Sequence, residues 1–212
     1  MHRSNLPALQ ALQRLRDGNA RFVAGTSGVS AYSSPTRRTE TGANQRPYAI
    51  LLGCSDSRVP AEIVFDQGVG DLFVIRVAGN IVAPSQIGSV EFAAAAFDTR
   101  LVVVLGHTQC GAIHATIDEL MGTAEAQSRN LRSIVNRVRP SVETLMATDL
   151  RNDREELVRH AVRANVRASV SHLCHGSDLI EQLIEEDGLL VVGAEYSLET
   201  GVVDFFDGVD GM

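Results

Sequence analysis

"RLVVVLGHTQCG", residues 100–111, decides the architecture. Leu101 to Leu105 are all apolar, with no alternation of polar and apolar positions. A strand of that kind is buried on both faces, as in a parallel sheet covered by helices on each side. Three further runs read the same way: "YAILLGC" (48–54), "LFVIRVA" (72–78) and "LLVVGAEY" (189–196). Helical patterns separate them. "SQIGSVEFAAAAFD" (85–98) and residues 112–121 after Gly111 are expected helices, and "NLRSIVNRV" is expected to stop near Pro140. Val158, Val162, Val166, Val170 and Leu173 keep a helical stripe that Gly176 breaks. Ser177 then caps a short helix ending at Gly188. "TGVVDFF" (200–206) follows turn residues and is expected to pair antiparallel at the sheet edge. The fold class is therefore α/β, a mainly parallel sheet flanked by helices.

Outward from this body, Leu6, Leu9, Leu12 and Leu15 recur at helical spacing near the N-terminus, and Phe22 extends the pattern past Gly18. Residues 25–47, rich in Gly, Ser, Thr and Pro, read as a long irregular connection. The expected organisation is an N-terminal helical arm with its connecting loop, residues 1–47, packing on a partner subunit, and an α/β domain over 48–212. A chain of 212 residues needs no second core. The composition, 44% hydrophobic and 21% charged with a formal charge of −7, gives nucleic-acid phosphates no general attraction. With neither a signal-type apolar segment nor a run of membrane-spanning length, a cytoplasmic protein without a membrane partner is expected. Cys54, Cys110 and Cys174 are too few for a disulfide framework, so thiol or metal chemistry comes first.

Two strands run into chemistry-bearing residues, the first into "CSDSR" (54–58) and the third into "HTQCG" (107–111). Ligand sites of open α/β sheets lie beyond the carboxyl ends of the strands. If the two strands are neighbours, Cys54, His107 and Cys110 converge there. Two thiolates and an imidazole suit Zn²⁺, and three protein ligands with a fourth place for water mark a catalytic rather than a structural zinc. Asp56 is close enough in sequence to be that fourth ligand or to orient the water. Arg58, able to grip a carboxylate through two parallel hydrogen bonds, competes with the metal for it. Read separately, Cys54 suits a core position and Asp56–Arg58 a structural ion pair. A structural zinc would add a second close Cys/His pair, and a redox dithiol would need C-x-x-C, which is absent.

"CSDSR" and "HTQCG", with "DQGVGDLFVIRVAGN" (66–80) between them, resemble the β-class carbonic anhydrase family from about residue 8 to the C-terminus. The resemblance implies one Zn²⁺ per chain on Cys54, His107 and Cys110, with Asp56 and Arg58 as the catalytic dyad and Asp56 joining the metal only in a closed state. It implies a zinc lyase that interconverts CO2 and bicarbonate. It also implies an arm exchanged between subunits, a homodimer or dimer of dimers, and active sites at the dimer interface. Gln67 matches the position of an amide that hydrogen-bonds substrate, although by itself it reads as a surface amide. Gly111 opens a helix, where a free N–H and the positive dipole end suit an anion such as bicarbonate; its plainer role is turn geometry. Members inhibited by bicarbonate carry a Trp three residues before the first Cys, with an Arg and a Tyr. Arg76 and Tyr196 match the latter two, but Leu51 occupies the Trp position and the chain has no Trp. Bicarbonate is thus expected to act chiefly as product.

His172, Cys174 and His175 in "SHLCHG" look like a cluster on paper, but Cys174 points off the face shared by the two histidines. His114 and His160 fit solvated helix positions or proton relays. Hydrolysis of carbonyl sulfide or carbon disulfide is the nearest rival activity, sharing the same ligands. A non-catalytic bicarbonate or zinc sensor is the rival from another class; the intact Asp56 and Arg58 speak against it. A thiol redox protein would need reactive free thiols.

Overall fold

The computed structural model describes residues 5–28, 34–123 and 128–209; residues 1–4 and 29–33 of the expected arm lie outside them. Four parallel strands run where continuous apolar runs predict them: β1 (Ala49–Gly53), β2 (Leu72–Arg76), β3 (Leu101–His107) and β4 (Leu190–Tyr196). β5 (Val203–Asp207) closes the edge antiparallel to β4, and the spatial order is β2-β1-β3-β4-β5. β1 and β3 are hydrogen-bonded neighbours, in a register that sets Gly53 against Leu105.

Alternate residues of the buried strands feed two cores, the period-two consequence of the pleat. Leu51, Leu101, Val103, Leu105 and Val192 face one side, where α1 (Ala8–Val23) covers them with Ala11, Leu12 and Leu15. Ile50, Leu52, Val102, Val104 and Val191 face the other. That side is covered by α4 (Pro84–Phe97), α7 (Arg154–His175) and α8 (Asp178–Glu186). A third core forms beyond the carboxyl ends of the strands. There Cys54 and Cys110 pack among Ile113 and Ile117 of α5 (Gly111–Leu120), Val138 and Val142 of α6 (Arg129–Met146), and Leu157, Ala161 and Val162 of α7.

Three local expectations are corrected. First, the apolar side of α1, which lies on the sheet, leaves Leu9 out. Its buried residues are Ala8, Ala11, Leu12, Leu15, Gly18 and Asn19, whereas Leu9 is 57% exposed because a strict three-residue repeat drifts off a 3.6-residue face. Gly18 permits the close approach: a Cβ there would stand 1.9 Å from the Phe65 carbonyl oxygen. Second, the connection is not wholly irregular. α2 (Pro35–Gly42) starts where Ser34 accepts a hydrogen bond from the Arg37 amide and Pro35 supplies a preset φ. Third, α6 passes through Pro140 to Met146, because Val135, Val138, Ser141 and Val142 keep burying one face on both sides of the proline. A short helix, α3 (Ala61–Val64), completes the set after "CSDSR".

Candidate metal centre and active site

β1 and β3 deliver their carboxyl ends side by side, and the residues that follow make the site. Cys54 comes directly after β1, His107 is the last residue of β3, and Cys110 is the N-cap of α5, its sulfur unused for capping. The turn between His107 and Cys110 is tight: Gln109 takes a left-handed φ of 56°. Thr108 anchors the turn to the β4–β5 connection. Its amide donates to the Tyr196 carbonyl, its hydroxyl to Glu199, and the hydroxyl accepts from the Leu198 amide.

The side-chain donor atoms of Cys54, His107 and Cys110 lie within 4.8 Å of one another, and all three residues are buried. No other group of three or more such residues meets that distance among the described residues. The imidazole is fixed by its other nitrogen. Nδ1 is 2.8 Å from the Thr108 carbonyl oxygen, which can only accept, so Nδ1 carries the proton and Nε2 keeps its lone pair. That Nε2 is buried without a hydrogen-bond partner. A buried, unpartnered lone pair beside two sulfurs is costly unless something accepts it. The donor set and the orphaned nitrogen together fit a zinc ion. The neighbouring Cys110 thiol, with the Gly79 and Asp56 backbone amides, pulls Cys54 well below the usual thiol range against the opposing effect of burial. The bond to Cys54, followed by burial, pushes Cys110 up.

Asp56 stands at the mouth of this cluster, Oδ2 4.0 Å from His107 Nε2. Arg58 grips it from outside: Nε donates to Oδ1 at 2.9 Å, a second guanidinium nitrogen donates to Oδ2 at 2.8 Å, and the Arg58 amide adds a bond to Oδ1. These bonds hold the Asp56 carboxyl well below the usual carboxylate range. The guanidinium also reaches the Gln109 carbonyl at 3.4 Å, tying the two motifs together.

Gly111 opens α5 beside Cys110, and a Cβ there would meet only open space. Gln67 is not brought to the cluster of its own chain. Its amide donates to the Phe65 carbonyl, and the residue lines a separate cavity of about 530 Å³ under α1 with Arg14, Arg21 and Asp66. Arg76 has a task that sequence did not reveal. Register sets it beside Gly53, and its guanidinium donates to the carbonyls of Cys54 (3.1 Å) and Asp56 (2.5 Å), fixing the backbone of "CSD". Tyr196 lies on β4, separated from β2 by β1 and β3. His114 faces Gln109 Oε1 at 3.2 Å, and burial followed by the Arg154 charge lowers its affinity for a proton. His160 pairs with Glu156 and His175 with Glu181, while Cys174 packs on the second core.

The family model described as carbonic anhydrase matches residues 49–203, which span both motifs and every strand but the last residues of β5. A carbonic anhydrase of Mycolicibacterium smegmatis is 40% identical over 200 residues, covering 94% of each chain. The chain belongs to the carbonic anhydrase family. Within that family, carbonic anhydrase 2 of Mycobacterium tuberculosis is 37% identical over 93% of this chain and 92% of its own. Among solved structures, the chain superposes on a tetrameric β-carbonic anhydrase of Sordaria macrospora with a TM-score of 0.72 at 25% identity, covering 93% of this chain and 97% of that one. A β-carbonic anhydrase of Aspergillus fumigatus shares the fold with a TM-score of 0.74 at 24% identity, covering 95% and 91%.

Proposed function

We propose that Cys54, His107 and Cys110 hold the zinc with which this enzyme interconverts CO2 and bicarbonate, and that Asp56 and Arg58 gate the site. The observation that carries the assignment is the orphaned Nε2 of His107, buried within 4.8 Å of two cysteine sulfurs with an ion-paired carboxylate at the mouth. Zinc held there supplies the Lewis acidity that makes a nucleophile of water near neutral pH. The remaining work falls to the chain. Asp56, held by Arg58, stays ionised and clear of the three ligands, so Oδ2 is available to accept a hydrogen bond from the reacting water and orient it for attack on CO2. Releasing Arg58 would let the carboxylate swing onto the metal and close the site. Arg76 prevents the backbone beneath from following. The amide at Gly111 opens α5, where the positive helix end suits a bicarbonate oxygen.

The reading extends to assembly. The amide of Gln67 is held by the Phe65 carbonyl and lines the cavity beside α1, so its role at substrate is assigned to a neighbouring copy, with the site at a subunit interface. Phe92, 56% exposed on α4, meets Phe97 edge-on and Phe73 at a tilt beside the open edge of β2, an apolar surface suited to a second copy. Residues 1–47 are then the arm exchanged between copies, α1 taking on a neighbour's sheet the place it occupies here on its own. A homodimer or dimer of dimers in the cytoplasm, where thiol ligands stay reduced, is the corresponding state.

The deciding experiment measures zinc per chain and CO2 hydration on one preparation of the wild type and of Cys110→Ser. About one zinc with fast hydration, both lost in the variant, is expected. Sulfide release from carbonyl sulfide exceeding CO2 hydration would assign the sulfur-analogue reaction instead. Zinc without either activity would leave a sensor.

A further inference from the structure

Between β2 and α4 the chain makes a short 3-10 turn, Ala78–Asn80, in which two consecutive residues are left-handed: Gly79 at φ 70° and Asn80 at φ 43°. The turn is wedged between the two cysteine-bearing elements. The Gly79 amide donates to Cys54 Sγ at 3.3 Å. A Cβ at Gly79 would stand 2.9 Å from Ala112 Cβ, two residues past Cys110. Any L side chain is thus excluded twice, by backbone conformation and by space. A left-handed pair leaves its carbonyls out of any helix or strand ladder. Both are taken by α7, one turn apart on a single face: Asn165 Nδ2 donates to the Gly79 carbonyl at 2.8 Å, and Ser169 Oγ donates to the Asn80 carbonyl at 3.0 Å. Both side chains are buried. Their helix neighbours Val162, Val166 and Val170 belong to the apolar cores, so nothing in the amphipathic pattern of α7 calls for an amide and a hydroxyl at these places except the turn itself.

We propose that Asn165 and Ser169 are positioning residues that set the charge on one metal thiolate: they clamp the Gly79–Asn80 turn so that the Gly79 N–H points at Cys54 Sγ. The inference rests on the metal site assigned above. An N–H···S bond withdraws charge from a thiolate ligand, and partners one shell out from a ligand fix its orientation and tune the metal. Loosening the clamp removes that withdrawal without touching a ligand, and leaves Cys54 both more electron-rich and less fixed.

The test uses the full-length protein with its zinc replaced by cobalt, whose thiolate-to-metal absorption reports on the sulfur directly. In Asn165→Ala and Ser169→Ala the band moves to lower energy, further in the double variant, while Ser169→Thr, which keeps the hydroxyl, stays with the wild type. Retention of zinc against a competing chelator falls by about ten- to a hundredfold, the usual cost of losing such a partner. Ser141→Ala is the control, since Ser141 is buried on α6 with its hydroxyl unpartnered and has no hydrogen bond to the turn. The band decides. An unmoved band in Asn165→Ala, or an equal shift in Ser141→Ala, overturns the clamp. If Asn165→Ala does not fold, Ser169→Ala against Ser169→Thr makes the same comparison. Wild-type protein that takes up cobalt without any thiolate absorption refutes the metal site itself.

Discussion

In the proposed gate Arg58 is the residue that matters most, because its exposed guanidinium grips both carboxylate oxygens of Asp56. Arg58→Ala should retain zinc and lose CO2 hydration by about two orders of magnitude, within the usual worth of a positioned proton-handling group. Arg58→Lys should recover little, since an ammonium cannot grip both carboxylate oxygens. Stopped-flow hydration rates set beside metal analysis separate the two effects; an active Arg58→Ala enzyme would remove the gate. The cysteines divide in the same way. Cys54→Ser and Cys110→Ser should lose tightly bound zinc, whereas Cys174→Ser, altering a half-buried thiol on the second core, should keep both metal and rate. Loss of zinc from Cys174→Ser with retention in Cys110→Ser would reverse the ligand assignment.

At the scale of elements, the contact between α1 and the sheet holds the N-terminal face of the molecule together. Leu15, fully buried against Leu51, Leu101 and Val103, should cost about 2–5 kcal/mol when cut to alanine, as buried leucines do; denaturant midpoints read this. Tyr48 lies in the same layer beneath Arg14, whose guanidinium is 4.2 Å from the ring centroid, and its hydroxyl is buried without a partner. Burial raises its ionisation well above the ordinary phenol value, with Arg14 opposing. Unfolded tyrosine ionises near about pH 10, so the folded state is favoured in full below that pH and loses this advantage as pH climbs toward the folded value. The Tyr48 phenolate should therefore appear only with unfolding in an ultraviolet alkaline titration. Tyr48→Phe should match the wild type at neutral pH or gain up to about 1 kcal/mol, having no orphaned hydroxyl to bury.

Elements are also where sequence and structure can be weighed against each other. β1, β3 and β4 were legible because strands buried on both faces are written as unbroken apolar runs, and Cys54 and His107 follow from where those runs stop. The stripe from Val158 to Leu173 was equally plain. What escaped is what depends on contacts distant in sequence. Arg76 reads from resemblance as part of a bicarbonate pocket, and its grip on the Cys54 and Asp56 carbonyls emerges only when register sets it beside Gly53. Asn165 and Ser169 read as interruptions of an apolar stripe until the Gly79–Asn80 turn is seen beneath them. Gln67 sits in a motif, yet its side chain turns toward α1. Only the Ser34–Pro35 start of α2 carried a local signal that was there to be used.

On the scale of the whole molecule, two surfaces bear on assembly. Phe92 and the open β2 edge form one; replacing Phe92 by Glu should shift sedimentation toward smaller species without removing zinc, and an unchanged assembly would place the interface elsewhere. The arm is the other. Removing residues 1–24 uncovers Leu51, Leu101, Val103 and Val192, and should give aggregates or dissociated, inactive chains. A folded, fully active monomer would count against exchange. The arm also sets a condition on biosynthesis. α1 leaves the ribosome before the sheet it covers, which is complete only when β4 has been made, about 170 residues later, so at about 5–20 residues per second its leucines wait roughly 9 to 34 s without the cover of their own chain. During that interval each nascent chain offers the apolar side of a helix to its neighbours on the same message, so slower synthesis lengthens the exposure of this fold to aggregation.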